Sequence, residues 1–93
     1  MDVMVSQHAK VRMQQRAISE DMLESLLDFG QVKFNGQGTE ILTFPKRVVK
    51  HLKKELDHKV FMKIERHLNL YAIMSSDGEL ITTGYRTKRL KGH

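Results

Sequence analysis

The stretch Leu70-Tyr-Ala-Ile-Met-Ser-Ser-Asp-Gly-Glu-Leu-Ile-Thr-Thr-Gly-Tyr-Arg86 decides the fold. It reads as two strands, Leu70–Ser75 and Glu79–Arg86, joined by the turn "SSDG". A short loop with glycine between two β-rich runs is a hairpin signal, so the strands are antiparallel. In the first strand both faces are apolar: Leu70, Ala72 and Met74 on one, Tyr71 and Ile73 on the other. A strand that is apolar on both sides belongs in the middle of a sheet packed under helices.

A second hairpin lies upstream. Gln31–Asn35 and Thr39–Phe44 flank "NGQG", whose glycines suit the positive φ of a tight turn. The segments around the hairpins read as helices. Ser6 caps a first helix over Gln7–Arg16, and Ser19 caps a second over Glu20–Phe29, which Gly30 ends. Ile18 and Leu23 have the spacing of a hydrophobic staple. Met22, Leu23, Leu26, Leu27 and Phe29 form the apolar face of the second helix, while Glu20, Asp21, Glu24 and Asp28 form its wet face. Pro45 suits the first turn of a third helix, Lys46–Glu55. "DHKVFMKIERHL" is ambiguous, because "VFMKI" alone could be a strand. Val60, Phe61, Ile64 and Leu68 share one helical arc and Asp57 can cap them, so a helix over Val60–Leu68 is expected. The order is ααββααββ. It specifies an α+β domain: an N-terminal helix pair, a small, mostly antiparallel sheet of about four strands, and two further helices between the hairpins.

Composition sets the frame. Ninety-three residues suit one domain spanning residues 1–93. No cysteine is present, which removes disulfides and thiolate metal sites. No apolar run reaches the length of a membrane span or a signal-peptide core, so a cytoplasmic protein with no membrane partner is expected. The formal net charge of +5 favours a polyanionic partner. Acids crowd into Glu20–Asp28, and bases into Lys46–Lys54 and Arg86–Lys91.

The first helix is unusual in being nearly bare of apolar residues; only Ala9 and Met13 line up. At roughly 100° per residue, Arg12 lies about 40° and Arg16 about 80° round from His8. The three therefore form one polar stripe. "HAKVRMQQRAIS" (residues 8–19) resembles the H-A-x-x-R-M-x-x-R-G-I-S opening of a family of small bacterial proteins of unknown function, usually grouped with the RelE/ParE-like toxin fold. "DGELITTGYR" (residues 77–86) resembles that family's closing hairpin. Ala17 stands where the family usually has glycine, Tyr85 where related chains often place histidine, and the Lys46–Leu68 helix pair is extra to a minimal RelE-like fold. The resemblance implies a nuclease-like or translation-toxin ancestry, with working residues on the last strands and tail.

Two chemistries compete for the stripe. A metal-independent ribonuclease needs a base, an acid and cations over the phosphorane charge. Histidine and arginine suit those tasks, so His8, Arg12, Arg16 and Tyr85 are the catalytic candidates. The plain alternative is scaffold, with Arg12 and Arg16 paired to Glu24 and Asp28 of the next helix. Lys46, Arg47 and Lys50 on the third helix, and Arg86, Lys88 and Arg89 near the end, are candidates for holding phosphates. A solvated lysine face and a frayed tail account for the same charges. His51 and Glu55 are one turn apart, but His58 and His67 follow at no metal-binding spacing, so neither a metal nor another cofactor is expected. The expected function is a toxin-type endoribonuclease or RNA-interacting protein. The alternatives are a non-catalytic nucleic-acid-binding module and a protein–protein interaction domain. RNA or the ribosome and a small acidic antitoxin-like protein are the expected partners, for a monomer or a homodimer.

Overall fold

The computed structural model describes residues 3–86. Lys88, Arg89 and Lys91 lie outside these described residues. The helices are α1 (Gln7–Gln15), α2 (Glu20–Phe29), α3 (Lys46–Glu55) and α4 (His58–Glu65). The strands are β1 (Met4–Val5), β2 (Gln31–Phe34), β3 (Thr39–Thr43), β4 (Leu70–Ser75) and β5 (Glu79–Tyr85). They form one sheet in the order β1-β5-β4-β3-β2, antiparallel except for the β1–β5 pair. The α+β class, the helix pair before the sheet and the two helices between the hairpins are as the sequence implies.

Some details differ, and β2, β3 and β5 each end one residue earlier than the sequence implies. The sheet has five strands, because Met4–Val5 adds a parallel edge to β5. Two residues carry no periodicity, so this strand exists only through its partner. The last of the four helices spans His58–Glu65 and gives way to a turn over residues 66–69, with Phe61 and Ile64 buried as the helical arc requires. Asp57 caps it by accepting from the Lys59 N–H. The first helix ends at Gln15, with Arg16 as its cap residue.

β4 is central, between β3 and β5. Its residues Leu70, Ala72 and Met74 are buried in one cluster with Leu23 and Leu26 of α2, Phe61 and Ile64 of α4, and Leu42 of β3. The opposite face holds Tyr71 and Ile73, both half-buried and paired across strands with Gly84, Ile41 and Thr82. The second apolar face of β4 thus meets its cross-strand neighbours on the more open side of the sheet.

The β4–β5 ladder contains a bulge. Ile73 pairs with Thr82 but Met74 pairs with Leu80, so Ile81 is an extra residue. Side chains alternate faces along a strand, and one inserted residue reverses the alternation. Leu80, Thr83 and Tyr85 therefore all share the face of Met74, Ala72 and Leu70, and Leu80 and Thr83 are fully buried. Thr83 satisfies its hydroxyl by donating to the Tyr71 carbonyl at 2.7 Å.

The core contains one histidine. His67 is 6% exposed, its ring is 6.4 Å from that of Phe44, and its buried Nε2 has no hydrogen-bond partner. Desolvation by burial lowers its pKa from the ordinary 6.5.

Two outcomes are expected from this core. Phe61→Ala should destabilise the domain by about 3–5 kcal/mol in denaturant unfolding, the usual result of truncating a buried aromatic. His67 binds its proton more weakly when folded than when unfolded. Stability should therefore fall as pH drops below the unfolded value near 6.5, by at most about 1.4 kcal/mol per pH unit. Comparing unfolding of wild type and His67→Leu between pH 5 and pH 7.5 should show that this part of the pH dependence is lost in the variant.

Candidate functional site at the junction of helix α1 and strand β5

The site is built by the placement of α1. β1 pairs with β5 only at Glu79 and Leu80; the chain then enters α1, which packs mainly on β5. Ser6 makes the join. Its N–H donates to the Leu80 carbonyl at 3.0 Å, and its hydroxyl donates to the carbonyl of the bulged Ile81 at 2.9 Å. The same hydroxyl accepts the Ala9 N–H and caps the helix. Ala9 is fully buried, so the helix approaches closely through its smallest apolar residue.

The polar stripe runs along the helix from this anchor. His8 is exposed, while Arg12 and Arg16 are half-buried. Arg12 Nε donates to His8 Nε2 at 3.4 Å, one turn away. Arg16 reaches β5, where its guanidinium lies across Gly84 beside the Tyr71 hydroxyl. Among the described residues neither arginine forms an ion pair, and the Arg16 guanidinium and Tyr71 hydroxyl make no hydrogen bond.

The other candidates are distributed as follows. Arg86 is half-buried two residues beyond Gly84, with its N–H donating to the Asn69 carbonyl at 2.9 Å. Tyr85 is on the opposite face of the sheet from Gly84; it packs against the core and its hydroxyl donates to Met22 Sδ at 3.9 Å. The bulge is the reason, since it turns Tyr85 inward. Tyr71, which the sequence presents only as part of an apolar strand, stands at the stripe in its stead. The signal for it is its register with Gly84, where a tyrosine faces a residue with no side chain. Lys46, Arg47 and Lys50 are exposed on α3, whose main helix contact is α4; they form a second stripe. A groove on the other flank of α1, lined by Lys10, Val11, Gln14 and Glu20, includes none of His8, Arg12 or Arg16. Among the described residues no three of His, Asp and Glu gather as a metal site, and no helix is long and apolar enough to cross a membrane.

A short α+β domain with an arginine-bearing helix laid against its last strand is the class this geometry defines. Residues 5–86 match the domain of unknown function DUF4258, and the chain belongs to that family. No curated protein and no solved structure matches it.

The turn after α1 sets the position of Arg16. Ile18 N–H donates to the Met13 carbonyl at 2.9 Å and Ala17 N–H to that of Gln14 at 3.4 Å. These are the two bonds of a Schellman motif, and Ile18 and Met13 both pack on the core. Ala17 occupies its left-handed position with φ of 53°, where glycine has no steric cost. Ala17→Gly should therefore stabilise the domain, by about 0.5–1 kcal/mol in chemical denaturation. A destabilised variant would show that the turn relaxes without strain.

Proposed function

We propose that this domain engages RNA along the flank where α1 meets β5, as a toxin-type protein of the RelE/ParE kind. The observation that carries this reading is the Arg16 guanidinium lying on β5 without a carboxylate partner among the described residues. An arginine held in this way against a strand suits bidentate contact to a phosphate. Arg12 behind it and Arg86 beyond Gly84 extend the positive track. Lys88 and Arg89 follow it in sequence, and Lys46, Arg47 and Lys50 offer a second contact for a longer strand or for ribosomal RNA.

Metal-independent cleavage is the reaction that the stripe suits. To act as the base, His8 Nε2 must exchange the Arg12 N–H it accepts for the ribose hydroxyl. His8 takes the proton of a ribose 2′-OH, the freed oxygen attacks the adjacent phosphorus, and the 5′-oxygen leaves and is protonated by water. Arg12, one turn away, stabilises the phosphorane charge. A second reading is binding without cleavage. It is favoured by the spacing of His8 and Arg16, which stand about 12 Å apart along the helix and so meet different phosphates. A small acidic protein is the expected regulator of either activity, since a net charge of +5 and an exposed cation stripe attract one.

Cleavage and binding are separated by two sets of variants. His8→Ala should lower RNA cleavage by about 10²–10⁴-fold, the usual contribution of a general base, and leave RNA affinity nearly unchanged. Replacing Arg86, Lys88 and Arg89 by alanine should instead weaken binding and flatten its salt dependence by somewhat under one unit per lost contact. Wild-type protein that binds RNA but cleaves neither naked RNA nor message on translating ribosomes would establish the second reading. Protein with no salt-dependent RNA affinity would sink both.

A further inference from the structure

Gly84 lies inside β5 and is buried, and its φ is not in the left-handed region. Backbone freedom is therefore not what glycine provides there; space is. A Cβ at this position would overlap Arg16 Nη1, and would stand 3.3 Å from Arg16 Cζ and 3.1 Å from Tyr71 Oη. The guanidinium thus occupies the place of a side chain, and the tyrosine hydroxyl flanks the same point. Cross-strand register brings Tyr71 there, since it pairs with Gly84. The Schellman turn brings Arg16 there by ending α1 at that level.

Both groups are donors, and neither has an acceptor among the described residues. A half-buried guanidinium with no counter-charge among the described residues, next to a phenol hydroxyl with no acceptor among them, suits an anion with several acceptor oxygens. We propose that Arg16 and Tyr71, with Gly84 as the floor, form a seat for a single phosphate group. Resting on the RNA reading above, the seat takes one phosphodiester of the RNA backbone and fixes the strand's register on the sheet. Its position about 12 Å along the helix from His8 makes it a positioning contact, since the reacting phosphate lies nearer His8. The hydroxyl of Tyr71 adds direction, because a phenol donates along one line where a guanidinium offers a fork.

Two measurements on the full chain test this. The first is a titration with inorganic phosphate followed by NMR. The Gly84 and Tyr71 amides should shift in wild type and should not in Arg16→Gln. Unmoved amides in wild type, or equal shifts in the variant, would overturn the seat. The second is the affinity of a labelled single-stranded RNA at several salt concentrations. Arg16→Gln and Gly84→Ala should each weaken binding about tenfold, with the salt slope smaller by roughly 0.7 for the one lost phosphate contact. Tyr71→Phe should weaken it about threefold at constant slope. Gly84→Ala is the sharp case, because it leaves every charge in place and only displaces the guanidinium. Gly84→Ala protein that keeps its fold and wild-type RNA affinity would overturn the seat even if Arg16→Gln binds poorly, because diffuse charge would then explain the loss. Should Gly84→Ala fail to fold, the phosphate titration decides. Phosphate shifts without any RNA affinity would leave the seat standing and remove the RNA reading.

Discussion

The arrangement of this domain depends on the hydrogen bonds of Ser6. One residue joins the start of the first helix to the last strand, across 75 positions of sequence. Its hydroxyl donates to Ile81 and accepts from Ala9, so capping the helix and docking it are a single event. Its N–H extends the short β1 ladder by one more bond to β5. Without that join α1 has little to hold it, because only Ala9 and Met13 of its residues pack on the core, and its other apolar residue, Val11, is exposed. Most helices in small domains are held by an apolar face. This one is held by its ends: the serine at the start, and at the finish a Schellman turn that buries Ile18 and leads directly into the apolar α2. Its middle is left free to carry charge.

The bulge at Ile81 is the second constraint, and it acts on the same strand. A residue in excess normally costs a ladder bond, and here the carbonyl of that residue is put to use by Ser6. The reversal of alternation that follows sorts the end of β5 into two populations. Thr83 and Tyr85 go to the core, while Thr82 and Gly84 go to the open face where Arg16 arrives. Anchor and bulge are thus coupled. The same carbonyl that locates the helix marks the point where the strand changes which side chains it offers to that helix.

These constraints bear on function through charge. Cations on a protein surface are ordinarily solvated, and single ones say little. Here a cation is half-buried against a strand residue that can only be glycine if the guanidinium is to stay. Desolvating a guanidinium that has no carboxylate partner among the described residues costs free energy, which a bound anion would offset. A phosphate-bearing polymer suits that role and also suits the net charge of the chain. A domain shaped to bind it without cutting it would need the arginines; only cleavage would also need His8.

Much of this was legible in the chain alone. The α+β class, the boundaries of α2 and α3, the caps at Ser6, Ser19 and Asp57 and the helical state of the segment holding Phe61 and Ile64 all follow from periodicity and capping. Those signals are local, and local rules suffice to read them. The stripe of His8, Arg12 and Arg16 was legible for the same reason, while alanine at position 17 stood out only against the family pattern that the opening helix resembles. What the stripe faces was not legible. The parallel β1 strand, the bulge at Ile81, the inward turn of Tyr85 and the meeting of Arg16 with Gly84 and Tyr71 are all matters of register and contact between separate segments. Uninterrupted alternation in "ELITTGY" puts Gly84 on the same side as Leu80, and one inserted residue moves it to the other. Which face a side chain takes is decided by the hydrogen-bonded partner across the sheet, and that partner is chosen only when the whole sheet assembles.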